Sequence, residues 1–176
     1  MAVDSRDQLW DATFETYYNC YYQEIFSDVL LTRWQRVDDG TKLVVAFFAA
    51  GSAIAGLVNY YAKSLDIDWA WPLLTGIAAV IALFHKELAV PFRLRDHSEN
   101  KRSFSALRLD LETFRYLMKI NPDFPLDDFT KKFEEFRKRY SEEYRRLRVD
   151  AFVTSRLRQR CQAELNDRLV AITAES

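Results

Sequence analysis

Few side chains in this sequence could carry chemistry: His85 and His97, Cys20 and Cys161, and the paired carboxylates Glu134-Glu135 and Glu142-Glu143. A metal site needs ligands in register, such as His-x-x-x-His or Cys-x-x-Cys, and neither spacing occurs. The two cysteines have no motif spacing and no histidine near them in sequence, so they imply neither a disulfide framework nor a zinc set. A phosphate cradle needs a glycine-rich turn ahead of a helix, and the four glycines form no such string. The acidic pairs alternate with basic residues at helical spacing, which fits a solvated face with i,i+4 support better than a general acid and base. His85 ends an apolar stretch and His97 lies in Arg-Asp-His-Ser-Glu-Asn, so both read as interfacial or surface positions. The chain is therefore expected to be no enzyme and to hold no cofactor or metal.

Polar residues inside apolar stretches are more telling. Ser52, Gly56 and Asn59 share one face of a helical wheel with Val45 and Ala49, and Thr75 lies on a similar small-residue stripe with Ala78, Ala79 and Ala82. Small residues at this spacing let helix backbones approach closely, and an asparagine in a span needs a partner or water. These four positions are candidates either for packing two helices together or for lining a path through an assembly of several copies. Lys42, Lys86, Arg93 and Arg95 flank the apolar stretches, as a ring at a pore's inner mouth or as contacts to lipid headgroups.

The elements that must position these residues read as all-α. Four glycines and four prolines punctuate long patterns of three- and four-residue spacing. A first helix is expected from Asp4 or Ser5 to about Val37, with an aromatic face from Phe14 through Tyr22 that reads as packing surface. Asp38-Asp39-Gly40 then reads as a break, with Thr41 capping the next helix. Residues 43–62 are twenty in a row without a charge, and at 1.5 Å per residue they would span roughly 30 Å. A second span is expected over 67–86, after a short polar turn, with Tyr60, Tyr61, Trp69 and Trp71 as an outer aromatic belt. A helix follows to Ile120, then a stop at Asn121–Pro125. The next carries Leu126, Phe129, Phe133, Phe136, Tyr140 and Leu147 on a heptad seam, and a last helix carries Leu157, Cys161, Leu165, Leu169 and Ile172.

The expected architecture is one integral-membrane helical domain over 1–176. It comprises an N-terminal helix (1–42), a hairpin of two transmembrane helices (43–62 and 67–86) and a C-terminal helical bundle (87–176). Eight basic residues flank the two spans and only Lys63 lies in the turn, which places both termini in the cytoplasm and the hairpin in the plasma membrane. The net charge of -1 conceals an asymmetry: residues 1–42 carry four Lys/Arg against eight Asp/Glu, and residues 85–176 carry twenty against sixteen. An acidic first helix packed on a basic bundle accounts for this. Acids interleave with bases throughout, so nucleic acid is not an expected partner.

This order of parts resembles the SLATT proteins, two-span membrane modules of bacterial nucleotide-signalling defence systems. RWQRVDDGTK leads into LVVAFFAAGSAIAGL, then come LLTGIAAVIALFHKEL and a long helical C-terminal part. The resemblance implies a pore-forming effector that disrupts the membrane in antiphage defence, partnered by the lipid bilayer, by further copies of itself and by an upstream sensor or nucleotide-signalling protein. A lone hairpin cannot enclose a pore, so that function requires a homo-oligomer. The alternative is a membrane-anchored helical scaffold that recruits a cytoplasmic signalling partner.

Overall fold

The computed structural model describes residues 5–61, 70–121 and 123–175, except for the side chains of 52, 55, 56, 58–61, 70, 71 and 173–175. The described chain is helical: α1 (Ser5–Tyr61), α2 (Ala70–Glu87), α3 (Val90–Ile120), α4 (Leu126–Arg146) and α5 (Ser155–Glu175). It divides into two compact units, the first made of residues up to Leu30 and from Asp96 onward, the second of Leu31–Arg95.

Unit 1 is a four-helix bundle built from the start of α1, most of α3, and all of α4 and α5. Its core follows from periodicity. On the part of α3 in this unit the buried residues are His97, Asn100, Phe104, Leu107, Leu111, Phe114 and Met118, an unbroken alternation of three- and four-residue steps. On α5 Leu157, Cys161 and Leu165 recur every fourth residue, and α4 contributes Phe133 and Phe136. α1 buries Leu9, Tyr17, Cys20, Tyr21, Ile25 and Leu30. Each large apolar side chain taken from water stabilises the bundle by about 2 kcal/mol. Thr13 and Thr16, which share this face, donate their hydroxyls back to the carbonyls of Leu9 and Ala12 at 2.7 and 2.9 Å. Where α3 turns into α4, Phe114, Phe124, Phe129 and Phe136 cluster with ring centroids 4.6–5.4 Å apart, stacked for Phe114–Phe129 and edge-to-face for Phe114–Phe136. The charge asymmetry of the sequence appears as cross-helix pairs, Arg108 to Glu24 at 2.6 Å and Lys101 to Asp28 at 2.7 Å.

The aromatic face of α1 meets a cation of the chain's own. The Arg115 guanidinium lies over the rings of Phe14, Trp10 and Tyr17 at 4.7, 4.8 and 5.4 Å from their centroids. Burial holds Arg115 below the usual arginine range, countered in part by Tyr17 and Glu112.

In unit 2, α1 and α2 run antiparallel, because Asp38 meets His85 near one end and Gly51 faces Leu74 further along, where an added Cβ would sit 3.8 Å from Leu74 Cδ1. The outer faces are apolar. Leu43, Phe47, Ile54 and Leu57 of α1 are 61–74% exposed, and Leu73, Val80, Leu83 and Phe84 of α2 are 52–65% exposed.

Three expectations about this region are corrected. α1 does not break at Asp38-Asp39-Gly40. Instead of capping a new helix, Thr41 donates to the Val37 carbonyl at 2.7 Å, and Asp38 is held by Lys42 one turn on. A helical glycine costs only about 1 kcal/mol, too little to end a helix tied down on either side. The helix expected from residue 87 is interrupted at Leu88-Ala89, where Ala89 adopts the left-handed conformation (φ 49°) that terminates α2.

The third correction concerns the membrane hairpin. Among the described residues one stretch, within Pro72–Ile120, is long and apolar enough to cross a membrane, with a mean hydropathy of 1.7 over its best window. The two-span architecture is therefore not what the described residues provide. The placement of both termini in the cytoplasm fails with it, because an even number of crossings is what returns a chain to its starting side. Much of the expected first span from Ser52 onward, the turn and its aromatic belt (Tyr60, Tyr61, Trp69 and Trp71) lie outside the described side chains.

Candidate functional site

The most developed site lies in unit 1, where α4 passes into α5. After Arg146 the chain leaves the helix, and Asp150 organises the connector. Its side chain is fully buried, with Oδ2 2.8 Å from His97 Nε2 and Oδ1 accepting the Phe152 backbone N–H at 2.8 Å. The Val153 N–H donates to the Asp150 carbonyl, and Thr154 caps α5 by accepting the Leu157 N–H at 3.2 Å. A buried carboxylate this far from water is tolerated only when its oxygens are satisfied, and here both are. His97 thus acts as a latch between α3 and the connector.

The latched connector forms one wall of a groove of about 370 Å³, with Tyr22, Gln23 and Phe26 of α1 opposite and Tyr144, Leu147, Arg148, Val149, Val153 and Arg158 completing it. Val149 is 92% exposed and Tyr144 52% exposed, so large apolar surface faces outward at the rim. Burial raises the Tyr22 hydroxyl above the usual tyrosine range, with Cys161 adding to the rise and Arg158 opposing it. A second groove, of about 560 Å³, lies between α3 and α4 around Phe114, Leu117, Phe129 and Phe136. Asp110 and Arg139 at its edge are already paired to each other at 2.7 Å.

Unit 2 holds a smaller polar cluster. Asp38 receives Lys42 Nζ at 2.6 Å and lies 2.9 Å from His85 Nε2. The hydrogen bonds from Lys42 and then His85 hold its carboxyl below the usual aspartate range. An apolar recess of about 290 Å³ adjoins it, lined by Thr41, Lys42, Val45, Ala46, Ala82 and His85. A carboxylate between an ammonium and an imidazole can hold a proton or an ion pair.

The residues singled out in the sequence fall as follows. Ser52, Gly56 and Asn59 lie on the backbone of α1, with side chains outside those described, and Thr75 is exposed on α2. Lys42 is engaged by Asp38, Lys86 and Arg95 are exposed, and Arg93 is half-buried. The pore reading required two spans that associate around these positions. With one such stretch among the described residues, that assembly loses its basis, and so do the membrane disruption and antiviral role derived from it. Cys20 and Cys161 are both fully buried, and desolvation pushes the Cys20 thiol up to about 12, which leaves it protonated and inert. No group of three metal-ligating side chains occurs among the described residues. Glu135 and Glu143 are surface partners of Lys132 and Arg146 at i,i+3 spacing.

His97 is the buried site residue that its sequence neighbourhood conceals. Its polar run suggests surface, yet His97 and Asn100 continue the buried stripe of α3 backward by two steps. Spacing carried the signal, where residue type did not.

Compared with protein-family models, with curated proteins and with solved structures, the chain matches none.

Proposed function

We propose that this chain is a helical scaffold whose four-helix bundle recruits a partner protein and performs no reaction itself. The groove beside the latched connector carries this reading: an outward-facing apolar surface whose backbone wall is fixed by a buried hydrogen-bonded pair. Exposed apolar patches rimmed by polar residues mark interaction sites, and a wall fixed in advance lowers the ordering cost of binding. The paired and solvated carboxylates and the buried thiols support recruitment over catalysis.

The test is site-specific photo-crosslinking in the full chain, with the photoreactive residue at Val149 or at the exposed control position Glu134. A discrete adduct with a second protein is expected from position 149 alone. Absence of any adduct at 149, or the same adducts at both positions, would sink the scaffold reading.

A further inference from the structure

We infer that the outward face of α3 is a self-association surface, on which a second copy of this chain lays its own α3 antiparallel. This goes beyond recruitment at the connector groove, with which the face shares no residue. α3 carries two stripes. Opposite its buried one, Ala106, Leu109, Thr113, Tyr116 and Ile120 repeat the same alternation of three- and four-residue steps, and all five are exposed. Leu117 lies beside them, so four large side chains, Leu109, Tyr116, Leu117 and Ile120, stand 44–61% exposed with no charge on the stripe. A helix with apolar stripes on two opposite sides is one that buries both. With the groove edge beside them these side chains offer roughly 500–600 Å² per copy, the lower end of specific interfaces and suited to a reversible dimer.

The charged flanks choose the occupant. On the side towards α1, Arg108 and Arg115 turn inward, to Glu24 at 2.6 Å and to the aromatic rings of α1. Glu112 and Lys119 remain outward. Glu112 gives one oxygen to Arg108 at 3.1 Å and is 53% exposed, and the exposed Lys119 makes no ion pair among the described residues. In an antiparallel pair a two-fold axis brings each flank against the same flank of the other copy. When Leu109 meets the second copy's Ile120 and Thr113 meets its Tyr116, Glu112 of each copy meets Lys119 of the other. Sliding by one heptad sets Glu112 against Glu112 or Lys119 against Lys119, and a parallel pair sets Glu112 beside Leu117. A second copy in this one register therefore covers the stripe and matches both charges. On the flank towards α4, Asp110 is already neutralised by Arg139 at 2.7 Å. There the α3–α4 groove of about 560 Å³ opens along the stripe, sharing Thr113 and Leu117 with it, and leaves room for the second copy's Leu117.

Cross-linking of the full chain reads the register. The two copies of Thr113 would lie about 5 Å apart along the helix axis, and the two copies of Ala106 about 25 Å apart. A short bismaleimide should therefore join Thr113→Cys to its twin and join Ala106→Cys several-fold less. Cys20 and Cys161 are fully buried and stay unreactive. In the Thr113→Cys chain, Glu112→Lys or Lys119→Glu should cut the yield several-fold at low salt. Mixing those two variants in equal amounts should restore it, because each then meets its opposite charge. Both positions are exposed, so circular dichroism should be unchanged. Apolar association through unit 2 would link both cysteine positions alike and ignore the charges. Equal yields at 113 and 106, no covalent dimer, indifference to either charge change, or no recovery on mixing would overturn the inference.

Discussion

The pair with most at stake is His97 with Asp150, because the carboxylate is fully buried and one of its two oxygens depends on the imidazole. Replacing one member of a buried pair leaves the other desolvated and unsatisfied, a larger effect than the pair's net contribution when intact. His97→Ala is therefore expected to destabilise unit 1 by about 3 kcal/mol, and adding Asp150→Asn should recover part of that loss because the remaining group is then neutral. Urea unfolding of the single and double variants measures this; a double variant weaker than the sum of its parts would reject the latch. Burial sets a second residue-scale behaviour. The Cys20 thiol is raised to about 12 from a model-compound value of 9.0, and the Tyr140 hydroxyl to about 12 from 10.0, both chiefly by desolvation. In the unfolded chain these groups lose their protons first, so the folded state binds more protons above pH 9 and its stability falls as pH rises. The stability these protonated groups contribute should be fully present below about pH 9 and lost progressively towards pH 12. Chemical denaturation across that range, with and without Cys20→Ala, reads the thiol's share.

At the scale of elements, the helices and their apolar faces were legible and one break was misplaced. The 121–125 stop follows from its prolines, and the Phe133–Phe136 seam and the four-residue steps of Leu157, Cys161 and Leu165 follow from spacing; the structure buries Phe133, Phe136, Leu157, Cys161 and Leu165. Asp38-Asp39-Gly40 carries the composition of a terminus, but its carboxylate answers to His85, 47 residues away, as well as to Lys42. A local signal lost to a distant partner. The actual break at Ala89 was illegible because alanine is the best of helix formers, and only the geometry of the turn places it in the left-handed region. Ala89 is exposed, so substitutions there report backbone strain with little change in packing. Ala89→Gly should stabilise the chain by about 0.5 kcal/mol, the relief of strain being offset in part by greater freedom in the unfolded state. Ala89→Val should destabilise it by about 1–2 kcal/mol, because a β-branched residue resists positive φ more strongly. Thermal unfolding that ranks alanine above glycine would show that the turn carries no strain.

For the molecule as a whole, the two units solve the problem of apolar surface differently. Unit 1 turns a large apolar core inward while Leu109, Tyr116, Ile120, Tyr144, Val149 and Val170 stay exposed, so its candidate site is a local groove with an apolar rim. Unit 2 leaves Leu43 and Phe47 of α1 more than 70% exposed, with Leu83 and Phe84 of α2 above 60%. Contiguous apolar faces of this kind drive association in water, since each exposed leucine or phenylalanine gains about 1.5–3 kcal/mol on full burial. Read as sequence, the same residues suggested a two-span hairpin, because a hydropathy count cannot tell an apolar face from a crossing when the polar residues of the opposite face are few. Face and crossing can be separated by changing the face alone. Replacing Leu43, Phe47 and Leu83 together by glutamine leaves the Asp38–His85 pair and the Gly51–Leu74 approach untouched. In detergent-free buffer the parent chain is expected to sediment as a broad distribution of associated species and the triple variant as a narrow, smaller one, with the unfolding of unit 1 unchanged. Identical sedimentation profiles would mean that the exposed stripes do not drive association, and the apolar character of unit 2 would then need another cause.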